Sequence, residues 1–198
     1  MRRNKKKQQI IDAAKVVVSE RGSTNASLQA IADEAGMSKG ALYYHYSSKS
    51  TIFYDIMDQV SSRAKQLIID TQTKNMSKEE ITTAMKDIFR VTAADSPESR
   101  LFIHLVHEGI LGDEQLAEKF KDKYEQWVSS IEEILVTLNN IPKSPQTRLL
   151  AILVEAAIDG FILKNILGVQ EEENDRVLDM IGELDLGKII ALLKGDLS

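Results

Sequence analysis

The residues with the most chemical reach are crowded into one short stretch, SKGALYYHYSSKS at positions 38–50, where Tyr43, Tyr44, His45 and Tyr46 follow directly on the small pair Gly40 and Ala41. Phenol hydroxyls, an imidazole and the ammonium groups of Lys39 and Lys49 are suited to phosphate oxygens and base edges. That set predicts recognition of an anion rather than covalent catalysis. A second constellation is His104, His107 and Glu108, with the two histidines one helical turn apart. Such a pair suits a metal ion or a polar ligand. No third protein ligand accompanies it and the HExxH order is absent, so an ordinary polar helix face is the leading reading, ahead of a ligand contact and then a metal. With no nucleophile beside a base and no phosphate-binding glycine loop, the chain offers no catalytic residue. No metal or cofactor is expected.

The elements that carry these residues follow from periodicity. Apolar residues recur at three- and four-residue spacing, no sustained alternation occurs, and the only prolines are at 97, 142 and 145. The chain reads as all-α. A first helix spans about 5–21, with Ile10, Ala14 and Val17 on its inner face, and Gly22 stops it. Ser27 caps a short second helix, Gly36 ends that one, and Ser38 caps a third of about eight residues. A long connector covers about 48–74. Ser77 with Glu80 is a capping box for the next helix, Pro97 opens another, and Asp113 caps a long one to about 140. Helices at about 146–167 and 173–194 complete the chain.

Composition sets the outer bounds. With 198 residues, 43% hydrophobic and 28% charged, a soluble globular protein of one or two domains is expected. The absence of cysteine excludes a disulfide framework and suits a reducing cytoplasm. No secretion signal is apparent, because the basic start runs into IIDAAKVVVSE, whose charges break any apolar stretch, and no membrane span, because Glu155 and Asp159 interrupt the most apolar segment, LLAILVEAAIDGFIL. The net charge of -5 hides an asymmetry: residues 1–50 hold nine Lys/Arg against four Asp/Glu, and the remainder holds 16 against 26. An N-terminal part that attracts polyanions is joined to a body that repels them. The basic stretch RRNKKK reads by default as a solvated tail, with reach to a neighbouring groove or backbone as the alternative.

Two short helices joined by the tight turn AGMS have the form of a helix-turn-helix. At 100° per residue, Leu42 and Tyr46 face the interior of the third helix, while Gly40, Ala41, Tyr43 and Tyr44 face outward. Small outward residues let a helix backbone enter the major groove of DNA. Lys39 is placed for a guanine edge or a phosphate, and the helix starts at Ser27, Ser38 and Ser48 attract anions.

The motif SLQAIADEAGMSKGALYYHYSSKSTIF resembles the DNA-binding domain of the TetR family of bacterial transcriptional regulators. The resemblance implies a double-stranded DNA operator bound by a homodimer, and a C-terminal domain that takes a small-molecule effector. It implies base or groove contacts at Lys39, Gly40 and Ala41, and phosphate contacts at Ser27, Ser38, Tyr43, Tyr44, His45 and Lys49. Three positions depart from the family pattern: Ser23 replaces an aromatic, Ala26 a threonine, and Ser50-Thr51 the acidic residues that commonly follow the lysine. The expected division is a helix-turn-helix domain over 1–47 and an effector-binding and dimerisation domain over 48–198. Helices 146–167 and 173–194 would supply the dimer contact. Phe89, His104, His107, Trp127 and Phe161 are the candidate effector contacts. A ligand-responsive repressor in the cytoplasm is the leading expectation, and an architectural or interaction factor without an effector is the alternative.

Overall fold

The protein is described by a computed structural model covering residues 2–74 and 76–169. Among these residues there are eight α-helices and no strand. They are α1 (Arg2–Asn25), α2 (Leu28–Glu34), α3 (Lys39–His45), α4 (Lys49–Thr73), α5 (Lys78–Ala93), α6 (Pro97–Ile110), α7 (Glu114–Asn139) and α8 (Pro145–Ile166). The helix expected at 173–194 lies outside the described residues.

Helix boundaries follow local capping chemistry. Ser27, Ser38, Ser77, Ser96 and Ser144 each accept a hydrogen bond from the N–H three residues on. The Ser77/Glu80 capping box is closed from both sides, and Asp113 accepts from Leu116 N–H at 2.9 Å ahead of α7. Each such cap is worth about 1 kcal/mol. At the end of α2, Gly36 takes φ +61, while its N–H bonds Asp33 O and Met37 N–H bonds Ala32 O. That pair of bonds ties off two carbonyls and turns the chain into α3.

One boundary differs from expectation. The helix expected from about 5 begins at Arg2, so the whole basic stretch belongs to the opening turns of α1 rather than to a tail. Lysine and glutamine are good helix formers, and two side chains fasten the segment: Gln9 Nε2 donates to Ala35 O at 2.7 Å, and Gln59 Nε2 donates to Gln8 Oε1 at 2.8 Å. At the other end of α1, Gly22 leaves helical geometry (φ 74, ψ 160) before a last turn runs to Asn25.

The chain divides into two compact units, Met1–Ser61 with Asp95–Lys121, and Ser62–Ala94 with Asp122–Ser198. In the first, α1 packs on α2 and α6, and α2 packs on α3. Ile10, Ala14, Val17, Ile31, Leu42, Ile52, Phe53 and Ile56 are buried there. Burying each large side chain contributes about 1.5–3 kcal/mol. In the second unit α5 packs on α8. One of its clusters joins Leu67, Ile81 and Ile134, and another joins Val128, Leu135 and Ala151.

Candidate functional site

The outward side of α3 is bare in the way its spacing predicts. Leu42 and Tyr46 are buried, whereas Lys39, Gly40 and Ala41 are exposed, and Tyr43 and Tyr44 are 49% and 72% exposed. Tyr46 is held by two partners that also meet each other: its hydroxyl donates to Asp55 Oδ2 at 2.8 Å, Lys7 lies 4.9 Å from its ring centre, and Lys7 sits 3.6 Å from Asp55. Burial and the Asp55 carboxylate push the Tyr46 phenol well above its ordinary range, so it stays neutral. The helix is thus clamped through its inner face. Nothing heavier than the Ser38 hydroxyl, 4.0 Å away, lies near the position of a Cβ on Gly40.

The remaining anion-binding candidates have mixed surroundings. Ser27 and Ser38 are exposed at helix starts, and Lys39 lies 5.8 Å from the Tyr43 ring. His45 is half-buried against Tyr44, and its Nδ1 is shielded without a hydrogen-bond partner. Lys49 Nζ donates to Ser23 O at 3.0 Å and lies 5.6 Å from the Phe53 ring. That bond holds the strand of chain after Gly22 and gives a lysine at the start of α4 a purpose within the fold itself.

His104, His107 and Glu108 belong to the first unit, on α6, where Glu108 meets the start of α4. Ser50 Oγ donates to Glu108 Oε2 at 3.2 Å, and His104 Nε2 stands 3.3 Å from Glu108 Oε1. Burial lowers the His104 pKa, reinforced by the charges of Lys49 and His107 and opposed by Glu108, so the imidazole is neutral near pH 7. Glu108 thereby brings a carboxylate to the turn where the sequence has Ser50 and Thr51. No group of three metal-ligating side chains occurs among the described residues.

The other effector candidates belong to the second unit, which pairs Phe89 with Phe161 at 5.3 Å and Trp127 with Tyr124 at 5.1 Å, both edge to face. Beside the latter pair is a feature that a sequence reading passes over. Tyr124 OH donates to Asp159 Oδ2 at 2.5 Å, and Glu155 lies one turn before Asp159 on α8. Burial, then the neighbouring Asp159 charge, pushes the Glu155 carboxyl up to about 7. Asp159 is also raised by burial, with the Tyr124 hydrogen bond working the other way. No cationic side chain pairs with either acid among the described residues. Elsewhere on these two helices the buried Glu132 is satisfied by Thr147 at 2.7 Å and by Arg148 at 3.9 Å. The available signal was two acids four residues apart in an otherwise apolar run, which reads as a solvent stripe until Tyr124 is brought to it.

The face of α8 carrying Leu149, Ile152, Leu153, Ala156, Ala157, Gly160, Leu163 and Leu167 is exposed along its length. No helix among the described residues is long and apolar enough to cross a membrane.

Known proteins match this chain in two stretches. The family of bacterial regulatory proteins of the tetR type matches residues 10–56, and the C-terminal domain of BetI-type transcriptional repressors matches residues 77–184. The transcriptional regulator AcrR of Shigella flexneri is 35% identical over 68 residues, which are 34% of this chain and 32% of that protein. The regulator SrpR of Pseudomonas putida is 25% identical over 195 residues, covering 95% of this chain and 85% of its own. Among solved structures, a transcriptional regulator from Saccharomonospora viridis in complex with choline superposes with a TM-score of 0.68 at 19% identity, covering 91% of this chain and 97% of that one.

Proposed function

The chain belongs to the TetR family of bacterial transcriptional regulators, and from that premise we propose that it is a repressor which binds a two-fold symmetric operator as a homodimer and leaves it when a small organic cation binds. The observation that carries the DNA half is the exposed, nearly side-chain-free face of α3 at Gly40 and Ala41, rimmed by Lys39, Tyr43 and Tyr44. A helix so clothed can approach base edges, with Lys39 reading a base and Ser27, Ser38, Tyr43, Tyr44, His45 and Lys49 meeting phosphates. Two such helices must sit about 34 Å apart to enter successive grooves. The exposed apolar face of α8 supplies a surface for that pairing, with Ala156, Ala157 and Gly160 permitting close approach.

The effector half rests on Glu155 and Asp159. Half-buried carboxylates without a cationic partner are costly, and the electron-rich faces of Tyr124 and Trp127 attract a cation. A small organic cation satisfies both, and the Saccharomonospora viridis regulator holds choline, a molecule of that class. The ligand binds a state of the dimer whose reading helices are wrongly spaced, so effector and operator weaken one another reciprocally.

Selection of duplexes from a random pool tests both halves. A two-fold symmetric site should be enriched, and choline or a related quaternary ammonium ion should lower affinity for it. An unenriched pool overturns the DNA reading; an enriched site indifferent to every organic cation overturns the effector reading. Lys39→Ala should relax preference at one base position per half-site, by about 1–3 kcal/mol, while leaving non-specific binding nearly unchanged.

A further inference from the structure

We propose that the opening turns of α1 form a second nucleic-acid contact, a rigid basic arm that lies on backbone phosphates beside the groove entered by α3. The inference rests on the DNA-binding reading above and extends it to residues that reading does not use.

Placement is the first argument. Lys7 lies over the ring of Tyr46, the residue that caps α3, and Gln9 donates to Ala35 O in the turn between α2 and α3. The arm is therefore anchored at the C-terminal end of the reading helix and at the end of α2 that precedes it. Lys5 is two residues, or about 3 Å of helix axis, beyond Lys7. A helical arm also loses little further conformational freedom on docking, which a flexible tail would have to give up.

Charge is the second. Lys5 and Lys6 are exposed, Lys6 is met by the neutral amide of Gln9 at 3.0 Å, and neither has an acidic partner among the described residues. Lys7, by contrast, has Asp55. The first turn of α1 contains no acidic residue, so these cations sit where the helix macrodipole disfavours them, and no acidic side chain among the described residues offsets that. The run MRRNKKK belongs to a chain whose net charge is -5, so its basic surplus is local. A duplex offers one negative charge per about 1.7 Å of axis, dense enough to meet successive lysines on one helix.

The test is the salt dependence of binding by the full chain, with a selected operator and an unrelated duplex, for wild type and for K5A/K6A. Each lost phosphate contact lowers the slope of log K against log salt by about 0.9, so a dimer altered at both lysines should lose about 3.6 on either duplex. The ratio of specific to non-specific affinity should stay fixed, and K5R/K6R should restore the slope. Circular dichroism confirms that the altered chains keep their helices. An unchanged slope overturns the arm, whether those lysines are merely solvated or serve another polyanion. A loss confined to the operator overturns it too, because it would mean base reading. Wild-type protein that binds no duplex instead defeats the DNA-binding reading from which the arm was argued.

Discussion

Glu155→Gln should stabilise the protein at alkaline pH and leave it unchanged in acid. In the unfolded chain this carboxyl titrates near its ordinary 4.5, whereas in the fold burial and Asp159 push it up to about 7. Below pH 4.5 both states are protonated and the group contributes no penalty. Between 4.5 and 7 the unfolded chain gives up the proton first, so stability falls as pH rises; above 7 the penalty is constant. Moving a carboxyl that far costs at most about 3 kcal/mol. Water reaches the half-buried group, so about 1–2 kcal/mol is the working figure. Glutamine keeps the shape and removes the charge. Thermal unfolding followed by circular dichroism should place the variant about 2–8 °C above wild type at pH 8.5, and level with it at pH 4. Choline should raise the wild-type midpoint at pH 8.5 by mass action and leave the variant nearly unmoved. A variant stabilised equally at both pH values, or destabilised at pH 8.5, would refute the claim that burial and the Asp159 charge penalise the ionised Glu155 carboxylate.

Two further outcomes test other parts of the fold. Gly36→Ala meets no neighbour within 4 Å but forces an L side chain into φ +61, so chemical denaturation should register a loss of about 1 kcal/mol with an unchanged slope, and a neutral result would mean that the turn relaxes. Leu153→Glu introduces a charge on the exposed face of α8; sedimentation should find monomers and operator binding should weaken, whereas a persistent dimer would move the interface elsewhere.

What the sequence discloses is mostly what one turn of chain decides. Ser27, Ser38, Ser77, Ser96, Asp113 and Ser144 cap their helices through bonds spanning three residues, so their roles can be read without a third dimension. The sides of α3 follow from the 100° step in the same way. The extension of α1 back to Arg2 was less legible, since charge alone suggests a solvated tail; one bond that fastens the segment joins Gln9 to Ala35, 26 residues on. The effector candidates were grouped by residue type. Compaction divides that group: His104 and His107 go with the reading head, and Phe89, Trp127 and Phe161 with the second unit. In the sequence Glu155 and Asp159 are only breaks in an apolar segment, because the partner that makes Asp159 part of a cluster, Tyr124, is 35 residues away.

The polar contacts around the reading head bear on how little a signal would have to change. Ser50 to Glu108, Lys49 to Ser23 and Tyr54 to the Lys119 carbonyl are single hydrogen bonds of 3.0–3.4 Å, each joining α4 to another part of the first unit. A bond of this kind contributes about 0.5–1.5 kcal/mol net, more where a charge takes part. An effector that lowers operator affinity 5- to 150-fold needs a coupling of about 1–3 kcal/mol. One or two of these bonds, made in one state and broken in the other, suffice for that, and the buried apolar contacts of Leu42, Ile52 and Phe53 can persist in both.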